Sequence, residues 1–160
     1  MAVAAYSTTN ISWSSFDTWS TQYASDSNIS LATVMSNLQP ADSAPYAASE
    51  LRSNAFLYGT VIAGTGGTVA VTSGYTEAAT SSFTLKNVNF ASVASVTITA
   101  TASYPYTFHS FRTAASGGGT ELSTTGQGTT SGTITLTSGT HTGVGTFYAY
   151  FTTTHVDPAS

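Results

Sequence analysis

Few residues of this chain are able to do acid–base or nucleophilic chemistry. There are three histidines (His109, His141 and His155), seven acids and three bases, set among 24 serines and 31 threonines. A serine, a histidine and a carboxylate can form a hydrolase triad only with the nucleophile on a constrained turn and both partners in reach. The chain contains no Gly-x-Ser-x-Gly, and among so many serines a nearby histidine carries little information. Without cysteine there is no thiol nucleophile, no disulfide and no cysteine-held zinc or iron–sulfur centre. No two histidines lie within five residues of each other, so no helical or hairpin ligand pair exists. Asp26-Ser-Asn28-Ile-Ser30 starts like a calcium loop, but Leu31 holds the glycine position and Asn37 the final glutamate position. It reads as a helix-capping turn. Gly64-Thr-Gly-Gly67 runs into a strand pattern with no lysine after it, so it reads as a hairpin turn and not as a phosphate loop. No catalytic residue, metal ion or cofactor is expected.

The composition narrows the partners. Charged residues make up 6% of the 160, against about a quarter in ordinary globular proteins. Hydroxyl side chains take the place of charge on the surface. A net charge of −4 with only Arg52, Lys86 and Arg112 as bases leaves no patch to neutralise phosphates, so nucleic acid is not an expected partner. No apolar run approaches the roughly 18 residues of a membrane helix, so no membrane partner is expected. The opening Met1-Ala-Val-Ala-Ala-Tyr6 lacks the basic and long apolar regions of a signal peptide. With 41% apolar residues, nine Tyr, eight Phe and two Trp, there is material for one real core.

The organisation changes near residue 55. Residues 1–28 carry Tyr6, Trp13, Phe16, Trp19 and Tyr23 among Ser and Thr, and predict an extended aromatic arm. Residues 29–55 predict two short helices. Ser30 caps the first, Leu31, Val34, Met35 and Leu38 form its stripe, and Pro40 stops it; Pro45 starts the second. From 56 to 155 the period becomes two. Ala94, Val96, Ile98, Ala100 and Ala102 alternate with Ser95, Thr97, Thr99, Thr101 and Ser103, a strand with one dry and one hydroxyl face. Similar patterns recur at 67–72, 82–88, 104–113, 132–138 and 145–154, and more weakly at 56–63 and 120–124, with glycine clusters between several of them. The fold class expected is mainly β, an antiparallel β-sandwich, with a small barrel or jelly-roll domain as the alternative. Residues 87–111 and 122–156 hold no Asp, Glu, Lys or Arg, whereas exposed sheet edges are ordinarily guarded by charge. Such strands predict a sheet covered by neighbours. Tyr148 and Tyr150 alternate with Phe147, Ala149 and Phe151, so both faces of the last strand carry rings. That suits a central strand buried on both sides, or a platform that stacks on sugars.

Two stretches carry resemblances. Ile29-Ser-Leu31, the helix to Leu38 and Ser49-Glu-Leu-Arg52 together resemble a short element of tailed-phage virion proteins and their fibres. Tyr106-Thr-Phe108-His-Ser-Phe111-Arg-Thr113, Gly117-Gly-Gly119 and Phe147-Tyr-Ala-Tyr150-Phe151 are similar to B-repeat-like modules of bacterial surface proteins, with Phe111 and Phe151 in place of the usual tryptophans. The second resemblance implies a small β-grasp module. Both imply a structural role, in a virion or on a surface, and neither supplies a catalytic residue. The expectation is a non-enzymatic virion protein, a capsid-associated decoration or cement subunit whose partners are its own copies and other virion proteins. Trp13, Phe16, Trp19 and Tyr23 of the arm, with Thr97 and Thr99 of the hydroxyl face, are the expected interface residues, since aromatic anchors dominate interface energy. The rival expectation is a tail-fibre or baseplate adhesin, or a carbohydrate-binding module, in which Tyr148 and Tyr150 stack on a host-surface glycan.

Overall fold

A computed structural model describes residues 4–5, 55–90, 93–141 and 144–153. The expected arm and both expected helices lie outside these residues, apart from Ala4, Ala5 and Ala55. The described chain forms ten strands: β1 (Ala4–Ala5), β2 (Ala55–Ala63), β3 (Gly67–Ser73), β4 (Glu77–Thr80), β5 (Ser82–Asn89), β6 (Val96–Ala102), β7 (Tyr106–Arg112), β8 (Glu121–Ser123), β9 (Ser131–Leu136) and β10 (Thr146–Thr153). The protein is mainly β. Threonine favours this because its branched β-carbon sits well on a pleated surface.

The strands form two sheets. In the first, the order β1-β2-β10-β7-β8 is completed by β5, which also pairs with β2; in the second it is β4-β3-β6-β9. Both sheets feed one core. Val61, Leu85, Phe108, Phe111, Phe147 and Phe151 come from the first, and Val69, Val71, Val96, Ile98, Ile134 and Leu136 from the second. The sheets approach closely where one supplies a glycine and the other a ring. A Cβ on Gly132 of β9 would stand 1.9 Å from Cδ1 of Phe108 on β7. One on Gly67 of β3 would stand 2.3 Å from Cζ of Phe151 on β10. Phe108 in turn packs on Phe111 at 5.3 Å and edge-on against Phe151 at 6.1 Å between ring centroids.

The structure departs from the sequence reading in four places. The pairing is not wholly antiparallel: β10 runs parallel to β2, with Phe147 opposite Val61 and Ala149 opposite Ala63. Strands so far apart in sequence need no tight turn, so either direction is open to them. Second, Gly64-Thr-Gly-Gly67 is not a hairpin turn, because β2 and β3 belong to different sheets. It carries the chain from one layer to the other and is tied to the β6–β7 turn by the Ser103 N–H donating to the Gly66 carbonyl at 2.8 Å. Third, β4 was not legible, since Glu77-Ala-Ala-Thr80 has neither alternation nor large apolar residues. Fourth, the edges do carry charge. Of the four charged residues in 55–153, Glu77 lies on β4, Lys86 on β5 and Glu121 on β8, each a strand with one described neighbour, and Arg112 pairs with Glu121. The long uncharged stretches instead supply the inner strands β6, β7 and β10 and the edge strand β9. At β9, Thr133 donates its N–H to the Thr125 carbonyl at 3.0 Å and accepts from the Ser123 hydroxyl at 2.7 Å.

Tyr75, in the β3–β4 turn, is packed against the core with its hydroxyl buried and without a partner among the described residues. Burial, and secondarily the Glu77 carboxylate, push its pKa well above the ordinary tyrosine value. Tyr75→Phe removes an unsatisfied buried hydroxyl and should raise stability by about 1 kcal/mol at neutral pH, measured by urea denaturation. The linkage has a definite sign. A folded-state pKa above the unfolded one means stability is complete below about pH 10 and falls as pH rises beyond it. The phenylalanine variant should lose part of that alkaline sensitivity; an equal loss in both proteins would place its origin elsewhere.

Candidate functional site

One serine–histidine pair does meet among the described residues. On β7, His109 Nδ1 lies 2.9 Å from the Ser110 hydroxyl, and Ser110 is fully buried. The pair faces the wrong way for nucleophilic attack. The Gln127 amide nitrogen, a donor, meets His109 Nε2 at 3.3 Å, which leaves the ring proton on Nδ1. Ser110 Oγ therefore accepts from His109, and it also accepts from Arg112 Nη1 at 3.4 Å. A triad needs a carboxylate where Gln127 stands and a base that accepts from the serine. His141 sits apart, edge-on to Phe147 at 6.3 Å, and burial holds its pKa below the ordinary histidine value. His155 lies outside the described residues. Among the described residues no three His, Asp or Glu side chains gather as a metal site.

Arg112 has a positioning role. Its Nε donates to the Gly118 carbonyl at 2.9 Å, Nη2 to the Gly119 carbonyl at 3.1 Å and Nη1 to Glu121 at 3.1 Å. The planar guanidinium thereby holds the 113–120 loop back over the first sheet, a geometry lysine has no fork to reproduce. The chain matches no family model, no curated protein and no solved structure.

The pinned loop forms one wall of a cleft of about 460 Å³ at the end of the first sheet, where β2 gives way to the Gly64–Gly67 turn. Ile62, Thr65, Tyr106, Ser116, Tyr148 and Tyr150 line it. Tyr148 and Tyr150 reach it because β10 is central in its sheet and alternates strictly, with Phe147, Ala149 and Phe151 buried on the core side. Two of the rings are held against glycine backbone. A Cβ on Gly66 would lie 2.2 Å from the Tyr106 ring, and one on Gly117 would lie 3.0 Å from the Tyr150 ring. Both glycines are in the left-handed region, with φ of 102° and 77°, so a side chain there would be strained as well as obstructive. His109 packs on Tyr150 at 5.2 Å between ring centroids. From sequence only the tyrosine pair was legible here; Tyr106, Thr65 and Ser116 join it through turns whose course no periodicity reports.

The second sheet presents a different surface on its outer face. Thr68 of β3, Thr97, Thr99 and Thr101 of β6, and Ser131, Thr133 and Thr135 of β9 stand in register around Ala70, and Thr72 joins them at the irregularity between Val71 and Ser73 of β3. Thr99 and Thr72 join hydroxyl to hydroxyl at 2.7 Å, and Thr97 and Thr135 at 3.4 Å. Thr97 and Thr99 are only half-exposed. Trp13, Phe16, Trp19 and Tyr23 lie outside the described residues.

Proposed function

We propose that this chain is a non-enzymatic structural subunit of a virion, a decoration or cement protein on the capsid. It packs its β-surface against other copies of itself and other virion proteins. In this reading the two sheets sharing one core are the layers of a β-sandwich. The observation that carries it is the hydroxyl face of β3, β6 and β9. No charged residue stands in its three rows, and its threonines already bond one another across the strands. Such groups lose little on leaving water, because part of their hydrogen bonding goes with them and their branched side chains have few rotamers to lose. Nucleic acid and membrane lie outside this reading, given the scarcity of bases and the acidic balance.

The double substitution Thr97→Lys with Thr99→Lys tests it. One lysine could reach water past the rim of a contact, but two in one row could not. The expected result is a protein with an unchanged circular dichroism spectrum that no longer self-associates by light scattering and is missing from assembled particles, since an unpaired buried charge costs about 3–5 kcal/mol. Normal occupancy of the double variant in particles would overturn the reading, because a solvated face accepts both lysines within about 0.5 kcal/mol.

A further inference from the structure

We infer that the tyrosine cleft of the first sheet is a binding site for a neutral saccharide, with Tyr148 as the stacking ring. This goes beyond the assembly reading and does not depend on it, since the cleft and the hydroxyl face belong to different sheets. The lining excludes other ligand classes in turn. The described lining contains no charged side chain, and Arg112 is committed to the 113–120 loop and Glu121, so no described residue there is placed to recognise a phosphate or carboxylate. It is not suited to a purely apolar ligand either. Five of the lining residues, Thr65, Tyr106, Ser116, Tyr148 and Tyr150, carry hydroxyls, and an apolar ligand would strip such groups of water without replacing their hydrogen bonds. A pyranose offers both halves of what the cleft presents: C–H faces for the rings and hydroxyls for the hydroxyls.

The geometry adds a division of labour. Tyr106 and Tyr150 lie against Gly66 and Gly117, and Tyr150 is packed by His109 as well, so these rings are fixed walls whose hydroxyls are placed in advance. Tyr148 stands one pleat along from Tyr150 on the same face, about 7 Å away by strand geometry, and among the described residues no other ring packs on it. Among the described rings of the cleft it is the one with a face to give. The size fits the range of about 300–1,000 Å³ usual for small-molecule sites. A second feature points to the same end of the domain. Tyr104 is 91% exposed, on the β6–β7 turn that is hydrogen-bonded to the turn lining the cleft. A solvated aromatic beside a ring-lined cleft is what an extended chain of sugars would meet on leaving it.

The test is affinity electrophoresis of the full chain through gels holding dextran, mannan, a mixed-linkage β-glucan or a galactan, with hyaluronan as the acidic control. At least one neutral polysaccharide should retard the wild-type protein. Tyr148→Ala should abolish that retardation, at least tenfold in the apparent dissociation constant, while Tyr148→Phe keeps it within about threefold, as expected where a ring face carries the contact. Melting temperatures of both variants report that the fold is intact. Thr97→Lys with Thr99→Lys should leave retardation unchanged, which separates this site from the assembly face. Retardation by none of the neutral polysaccharides, retardation by hyaluronan alone, or equal retardation of a folded Tyr148→Ala protein would each overturn the inference.

Discussion

Gly132→Ala should lower the stability of the β-domain by about 3 kcal/mol, although alanine is ordinarily the better strand residue. The new methyl would stand 1.9 Å from Cδ1 and 2.1 Å from Cε1 of Phe108, far inside contact distance. Relief by moving Phe108 is closed off. Its ring is fully buried and is flanked by Phe111 and Phe151, so the layers themselves must separate or the ring must leave its rotamer. Urea denaturation of both proteins measures the difference. Combining Gly132→Ala with Phe108→Leu should recover at least 1 kcal/mol relative to the sum of the single effects, because the smaller side chain vacates the space the methyl needs. Strict additivity would show that the two residues do not share that space.

Phe108→Ala should be the most damaging single truncation, at about 3–5 kcal/mol. Phe108 touches two phenylalanines of its own sheet and the glycine of the opposite one, so the cavity would open at the junction of both layers. Against a total of about 5–15 kcal/mol for a small domain, that loss brings much of the population to the unfolding midpoint under mild denaturant. The comparison is Tyr104→Ala, at a residue 91% exposed, which should change stability by no more than about 0.5 kcal/mol. Equal effects at the two positions would mean that the core is not organised around Phe108.

The sequence alone determined the local facts. Alternation from residue 56 onward marked strands at the positions of β2, β3, β5, β6, β7, β8, β9 and β10, because a pleat sends successive side chains to opposite faces and one face must be dry. It also marked the hydroxyl face of β6 and the tyrosine pair of β10, since both are properties of single strands. Tertiary structure decided what alternation does not encode. Period two says that a face is buried, not which sheet buries it, so the passage of the chain between layers at Gly64–Gly67 looked like a hairpin. The parallel neighbour of β10 is β2, a strand more than eighty residues earlier, and no local pattern reports a pairing at that range. The uncharged stretches looked like unguarded edges, yet most of them lie inside the sheets, with Glu77, Lys86 and Glu121 placed on edge strands. The cleft needed all of this at once: a central β10, two turns with left-handed glycines against Tyr106 and Tyr150, and Arg112 holding the loop in place. Sequence could name two of its rings. Only the closing of sheet, turn and loop around them made a site, because a concave surface is a relation between distant segments and not a property of any one of them.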